Sequence, residues 1–219
     1  MRVVRTLGVG LLGLAALGYC GWVLEFFLPT GVPPWQSYVA ELSADGRPYQ
    51  DLFRVINFVT GALALASTPF LARLVPAQLM PRLTVIAVAV FGIVMLLRGG
   101  LTLDCAPSVG EICRQRQAGG TVSSAHTATW VLSVATSVLF LLGVASAERW
   151  FPRGMWRNGL RVAFLLAAAL GTTIIVLDAF GPGHLVGVAV RAQLVVQAAT
   201  LFTGATYLAY AARWPADSP

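Results

Sequence analysis

The sequence predicts an all-α integral membrane protein, a bundle of six transmembrane helices. The composition supports this, because 57% of the 219 residues are hydrophobic and only 11% are charged, whereas a soluble domain carries about 25% charged residues. The apolar residues also form six long stretches, each near the ~20 residues that a helix needs to cross ~30 Å of hydrocarbon. These stretches are continuous rather than alternating, which argues against a barrel and favours helices, whose backbones satisfy their own hydrogen bonds in lipid.

The six predicted spans follow one another closely and leave no room for a soluble domain, so residues 1–219 are expected to form a single membrane domain. The approximate bounds are 6–28, 52–75, 83–103, 127–147, 160–179 and 185–210. The first span follows a basic segment, as in a signal peptide, but no small-residue cleavage site follows it. It is therefore interpreted as a membrane helix.

The distribution of arginine predicts the orientation. All fifteen basic residues are Arg, and nine of them lie on the side of the membrane that holds both termini. Most acidic residues lie on the opposite side. Because cytoplasmic loops are enriched in basic residues, we expect cytoplasmic termini in the cell membrane, and the dispersed arginines do not suggest nucleic-acid binding. The Ala- and Arg-rich, Lys-free composition suits a bacterium.

Charged and polar side chains cluster at the predicted outer end of the bundle. Charges inside a membrane usually face a bundle interior or a wet cavity, so these groups predict a pocket open to the outside or a set of structural ion pairs. The predicted ligand-binding residues are Arg54, Asn57, Arg98, Asp104, Arg191, Gln193 and Gln197. The leading hypothesis is a lipid or other hydrophobic ligand whose anionic head is held by the three arginines, which Glu25, Asp104 and Asp178 would position.

Two other classes of function stay open from the residues alone. An enzyme would use Asp104, His126 and His184 as metal ligands, or Glu25 or Asp178 as a raised-pKa acid, with His126 as a further catalytic candidate. A transporter is less favoured, because broken helices at the midplane are not evident. No phosphate-binding loop or dinucleotide fingerprint is present, so no cofactor is identified.

Two cysteines, Cys105 and Cys113, lie eight residues apart in the second outer loop. An oxidising compartment favours a disulfide between them. A metal pair is the alternative, although zinc sites usually place cysteines two to four residues apart.

Short motifs resemble a bacterial membrane family known as domain of unknown function 998. They are the segment Tyr38-Val39-Ala40-Glu41-Leu42-Ser43, the pair Asp104-Cys105 with His126 opening the next span, and the inner loop 149–157. Ala40 departs from the serine more common in that family. The resemblance implies six helices and no established activity. The first loop also distantly resembles the six-span Frag1/DRAM/Sfk1 proteins, which would imply a membrane-lipid or regulatory role.

Overall fold

The computed structural model describes residues 2–180 and 185–211 and is built from helices. The α-helices are α1 (Arg2–Tyr19), α2 (Gln50–Leu74), α3 (Leu79–Gly100), α4 (Glu111–Ala118), α5 (Ser124–Trp150), α6 (Met155–Ala179) and α7 (Val186–Ala211), and two short 3₁₀ helices cover Gly21–Phe26 and Val39–Ser43. Over the described ranges, β pairing is limited to an isolated bridge between Ala44 and Leu103.

Six helical segments in the described part of the chain are long and apolar enough to cross a membrane. They are Arg2–Phe26, Gln50–Leu74, Leu79–Gly100, Ser124–Trp150, Met155–Ala179 and Val186–Tyr210. The predicted six-helix membrane fold is therefore confirmed.

The six spanning helices form a closed ring. Along the chain, α1 packs on α2, α2 on α3, α3 on α5, α5 on α6 and α6 on α7, and α7 returns to pack on α1. The small helix α4 is outside this ring. The ring brings residues from distant parts of the sequence around one central axis.

Helices α2 and α3 approach each other closely at Gly61 and Gly92. A Cβ atom on Gly61 would lie 2.6 Å from the carbonyl oxygen of Gly92, and one on Gly92 would lie 2.8 Å from the backbone nitrogen of Leu65. Small residues allow membrane helices to approach in this way, because packing rather than water exclusion drives their association.

Three details of the fold differ from the sequence prediction. The first span does not continue as one α-helix to residue 28, because α1 ends at Tyr19 and the chain proceeds as a 3₁₀ helix from Gly21 to Phe26. The third span ends at Gly100 rather than at residue 103, so the loop that holds Asp104 begins three residues earlier than predicted. Helix α4 was not predicted; it is only eight residues long and too polar to stand out in a search for apolar periodicity.

The two ends of the ring differ in structure. One end is covered by the segments 27–49 and 101–123, together called the cap. The opposite end contains an aromatic cluster in which Phe151 lies against Trp150 and Tyr207, with ring centroids 4.6 and 4.1 Å apart. Trp156 also contacts Tyr207 at 5.5 Å, so α5, α6 and α7 are joined there by ring contacts.

Candidate functional site

The cap is organised around one buried carboxylate, Glu41. Its Oε1 accepts a hydrogen bond from the backbone N–H of Tyr38 at 3.1 Å, and its Oε2 accepts from the backbone N–H and the hydroxyl of Ser108 at 3.0 and 2.6 Å. Only 1% of Glu41 is exposed. Because Ser108 belongs to the second loop, Glu41 joins the two halves of the cap.

The first loop is fixed to the ring by Arg191 of α7. The guanidinium forms a two-pronged pair with Glu25, at 2.6 Å from Nε to Oε1 and 2.5 Å from Nη2 to Oε2. Its Nη1 also donates to the carbonyl oxygens of Ser37 and Gly187 at 2.9 and 3.0 Å. Both charged side chains are buried, so this pair is a closed structural contact between the 3₁₀ helix Gly21–Phe26, the cap and α7.

The loop can lie this close to α7 because position 187 is glycine. A Cβ atom on Gly187 would lie 2.2 Å from the carbonyl oxygen of Pro34. The Gly187 N–H instead donates to the carbonyl oxygen of Trp35 at 3.1 Å. The first turn of α7 thereby holds the backbone of the cap directly.

The second loop is held by a disulfide and by Asp104. Cys105 and Cys113 are disulfide-bonded, which links the first turn of α4 to the loop that follows α3. The Asp104 carboxylate accepts from the backbone N–H of Ser123 at 2.7 Å and from its hydroxyl at 2.5 Å. Ser123 is in turn the N-cap of α5, since its hydroxyl accepts the N–H of His126.

The pKa values of three ionisable residues of the cap depart from their ordinary values, two upward and one downward. Burial raises the pKa of Glu41 despite its hydrogen bonds from Ser108, which act in the other direction. Burial, together with a hydrogen bond donated to Asp178, also raises the pKa of Tyr38. The two hydrogen bonds from Ser123 lower the pKa of Asp104, so its charged form is the one that the loop stabilises.

A cavity of about 150 Å³ lies inside the ring directly beneath the cap. Tyr38, Val39 and Ala40 of the cap line it from one side. The ring contributes apolar and aromatic side chains together with a few polar groups. The polar or aromatic lining residues include Tyr19, Trp22, Asn57, Arg98, Trp130, Gln193 and Gln197.

Two polar groups that line this cavity have no hydrogen-bond partner among the described residues. The Nε of Arg98 and the Nε1 of Trp22 are both buried and unpaired. No acidic residue of the described ranges forms an ion pair with Arg98. Buried polar groups are nearly always satisfied, so two unsatisfied donors on residues that line one cavity indicate a place for an acceptor.

The structure separates the predicted ligand-binding residues into two groups. Four of the seven line the cavity: Asn57, Arg98, Gln193 and Gln197. Arg54 lies instead near Asp51 at 3.6 Å and donates to the carbonyl oxygen of Gly99 at 3.4 Å. Arg191 is fully engaged by Glu25 and the cap backbone, and Asp104 is engaged by Ser123.

The acidic residues predicted to position the arginines are also divided. Glu25 pairs with Arg191, but Asp104 and Asp178 do not contact Arg54 or Arg98. Asp178 is exposed and accepts a hydrogen bond from the Tyr38 hydroxyl at 2.8 Å. Neither Glu25 nor Asp178 is therefore an unpaired acid in an apolar pocket, which the acid-catalysed hypothesis requires.

The predicted metal ligands are brought together only in part. The ring nitrogens of the fully buried His126 lie 3.2 Å from the Asp104 backbone nitrogen and 3.2 Å from the Trp130 indole nitrogen. His184 lies outside the described residues. Within the described ranges, no cluster of three or more His, Cys, Asp or Glu side chains is arranged to hold a metal ion.

Among the lining residues that sequence reasoning missed are the two aromatic residues Tyr19 and Trp22. The signal for Trp22 was present, because it lies four residues after Gly18 and three before Glu25, so helical spacing places it on the same face as both. Tyr19 was harder to find, since a helix wheel places it beside that face. In the structure its hydroxyl donates to Gln197 Oε1 at 2.5 Å.

Six apolar spanning helices and a cavity within their ring define the class of this molecule, a multi-pass helical membrane protein. The family model described as "Protein of unknown function (DUF998)" matches residues 6–207. The chain therefore belongs to the DUF998 family, as its motifs indicated. No curated protein and no solved structure matches the chain.

Proposed function

We propose that this protein binds a lipid or other hydrophobic molecule with an anionic head group in the cavity beneath the cap, and that Arg98 holds the head. The cap faces outward from the cell membrane, the termini are cytoplasmic, and the chain forms one membrane domain. The proposal assigns no chemical reaction to the cavity.

Two observations support this orientation. Arginines are concentrated at the end opposite the cap, including Arg2, Arg5, Arg73 and Arg82, as expected for a cytoplasmic face. The cap contains the Cys105–Cys113 disulfide, and disulfides persist in oxidising compartments outside the cytoplasm.

The observation that carries the proposal is Arg98, which lines the cavity with an unpaired Nε and with no acidic partner among the described residues. Arg191 shows how this fold neutralises a buried arginine, with a carboxylate and two carbonyl oxygens around it. Arg98 lines a cavity and has no such acid. A buried, unpaired charge is costly, and an anionic head group would remove that cost while accepting hydrogen bonds from Arg98 and Trp22.

The rest of the lining favours an amphiphile over a free inorganic anion. Phe53, Met95 and Leu194 line the same cavity as Arg98. Small-molecule sites typically combine such apolar walls with a few polar groups that fix orientation. These apolar side chains would contact the apolar part of an amphiphile next to its head group. A free inorganic anion would make no such contact.

The test compares two arginines at the same end of the ring. Arg98→Gln removes the proposed anchor, whereas Arg54→Gln removes an arginine that does not line the cavity. Each variant is purified in a neutral detergent, and bound lipid is measured by native mass spectrometry, with thermal unfolding as a check on folding. We expect anionic lipid on the wild type and on Arg54→Gln, and about a 10- to 100-fold loss of affinity in Arg98→Gln, the range for a charged hydrogen bond.

Equal amounts of anionic lipid on folded Arg98→Gln and on the wild type would contradict the proposal. So would a bound lipid that is neutral in every variant, because Arg98 would then have no role in selecting it.

A further inference from the structure

A second cavity, of about 120 Å³, lies deeper in the ring, between the first cavity and the aromatic cluster. Its walls are mostly Leu, Val, Phe and Ala side chains. Three threonines also line it, but each donates its hydroxyl to a carbonyl of its own helix: Thr84 to Met80, Thr136 to Leu132 and Thr200 to Val196. No charged side chain of the described residues lines this inner cavity, which is therefore suited to an apolar group.

The two cavities meet at three shared lining residues, Tyr19, Thr136 and Gln197. The hydroxyl of Tyr19 donates to Gln197 Oε1 at 2.5 Å, and both side chains are buried. This single hydrogen bond between α1 and α7 lies at the junction of a cavity with a free cation and a cavity without one.

The combined length of the cavities exceeds one leaflet of a bilayer. Along α3, the lining runs from Arg98 in the first cavity to Thr84 in the second. Fourteen residues of helix correspond to ~21 Å at ~1.5 Å per residue, and one leaflet provides about 15 Å of hydrocarbon, half of the ~30 Å total. A head at Arg98 could therefore extend a long chain inward without leaving the ring.

We infer that the two cavities form one site for an anionic amphiphile with a long flexible apolar chain, whose head lies at Arg98 and whose chain passes the Tyr19–Gln197 junction into the inner cavity. This inference rests on the proposed function and specifies the class of ligand. The Tyr19–Gln197 hydrogen bond lies between the two cavities, and the chain displaces it on entry.

The test fills the inner cavity without touching the head site. Gly204 lines the inner cavity, and a Cβ atom there would meet no atom within 4 Å. Gly204→Leu therefore places a side chain in open space, and Gly204→Val is a smaller step in the same direction. The matched control is Gly10→Leu in α1, where the glycine is exposed and an added Cβ also meets nothing within 4 Å.

The probes are octyl phosphate and hexadecyl phosphate, titrated into each protein in the same neutral detergent so that partition into micelles is common to all variants. For the wild type and Gly10→Leu, hexadecyl phosphate should bind at least about tenfold more tightly than octyl phosphate, because more of the chain is buried. In Gly204→Leu that preference should disappear while octyl phosphate binding is retained, and Gly204→Val should give an intermediate preference.

A hexadecyl preference that survives in Gly204→Leu would overturn the inference, as would an equal loss of both probes in the folded variant. Arg98→Gln separates this outcome from a failure of the proposed function. If Arg98→Gln weakens both probes, the head site stands whatever Gly204→Leu does. If Arg98→Gln has no effect while Gly204→Leu removes the chain preference, the head site is wrong and the inner chain site stands.

Discussion

Two arginines at the cap end of the ring, Arg98 and Arg191, differ in their surroundings in the fold. Arg191 is enclosed by Glu25 and by carbonyl oxygens of the cap and α7. Arg98 lines a cavity, and its Nε has no partner among the described residues. A charge that already has its counterion stabilises the structure, whereas a charge that faces a cavity without one is suited to an incoming anion. The difference distinguishes the structural region of this end from the candidate site.

Breaking the Arg191–Glu25 pair should give the largest loss of stability. Glu25→Gln leaves Arg191 buried without its counterion, and removal of one partner from a buried pair typically costs about 3–5 kcal/mol. Arg98→Gln should instead leave the free energy of unfolding unchanged or raise it, because it removes an unpaired charge. Denaturant unfolding in detergent measures both variants.

A double variant serves as the control for this comparison. Glu25→Gln with Arg191→Gln removes both charges, so it should recover much of the stability lost in Glu25→Gln alone. If Glu25→Gln were no less stable than Arg98→Gln, the distinction between a paired and an unpaired arginine would be wrong.

Truncation within the aromatic cluster should have the next largest effect, at the other end of the ring. Phe151 is 3% exposed and contacts Trp150 and Tyr207. Phe151→Ala should cost roughly 3 kcal/mol through the space it leaves, yet retain binding of octyl phosphate, whose head site is at the far end. Loss of octyl phosphate binding in a folded Phe151→Ala would show that the two ends are not independent.

A smaller, pH-dependent effect is expected at Asp104. Because its pKa is lowered in the folded protein by the Ser123 hydrogen bonds, it contributes stability above its unfolded pKa of about 3.9. That contribution is lost as the pH falls through the folded value. Asp104→Asn should cost roughly 1 kcal/mol at pH 7 and flatten the acid limb of the stability curve. Thermal unfolding between pH 3 and pH 7 measures this, and an unchanged acid limb would contradict it.

The sequence predicted the membrane fold well because lipid imposes a simple rule on it. Each span must be apolar and about 20 residues long, so composition alone locates six helices. The rule does not extend to the cap, where the eight-residue α4 has no apolar period, or to the break after Tyr19.

Pairing of charges within the site was harder to predict. The sequence places Arg54, Arg98 and Arg191 near one depth, but which acid meets which arginine depends on the order of the helices around the ring. Contact between α1 and α7 brings Glu25 to Arg191, although they are 166 positions apart. Asp104 was predicted to position an arginine. The loop after α3 instead places it beside Ser123, the N-cap of α5, from which it accepts two hydrogen bonds.

The most direct test of the central claim, that Arg98 anchors an anionic head group, is the shift in thermal unfolding midpoint caused by dodecyl phosphate in a neutral detergent. A ligand that binds the folded state raises its stability by about 2.7 kcal/mol at a free concentration 100 times its Kd. We expect a clear increase in midpoint for the wild type and for Arg54→Gln, and little or none for Arg98→Gln. An equal increase in all three proteins would contradict the claim.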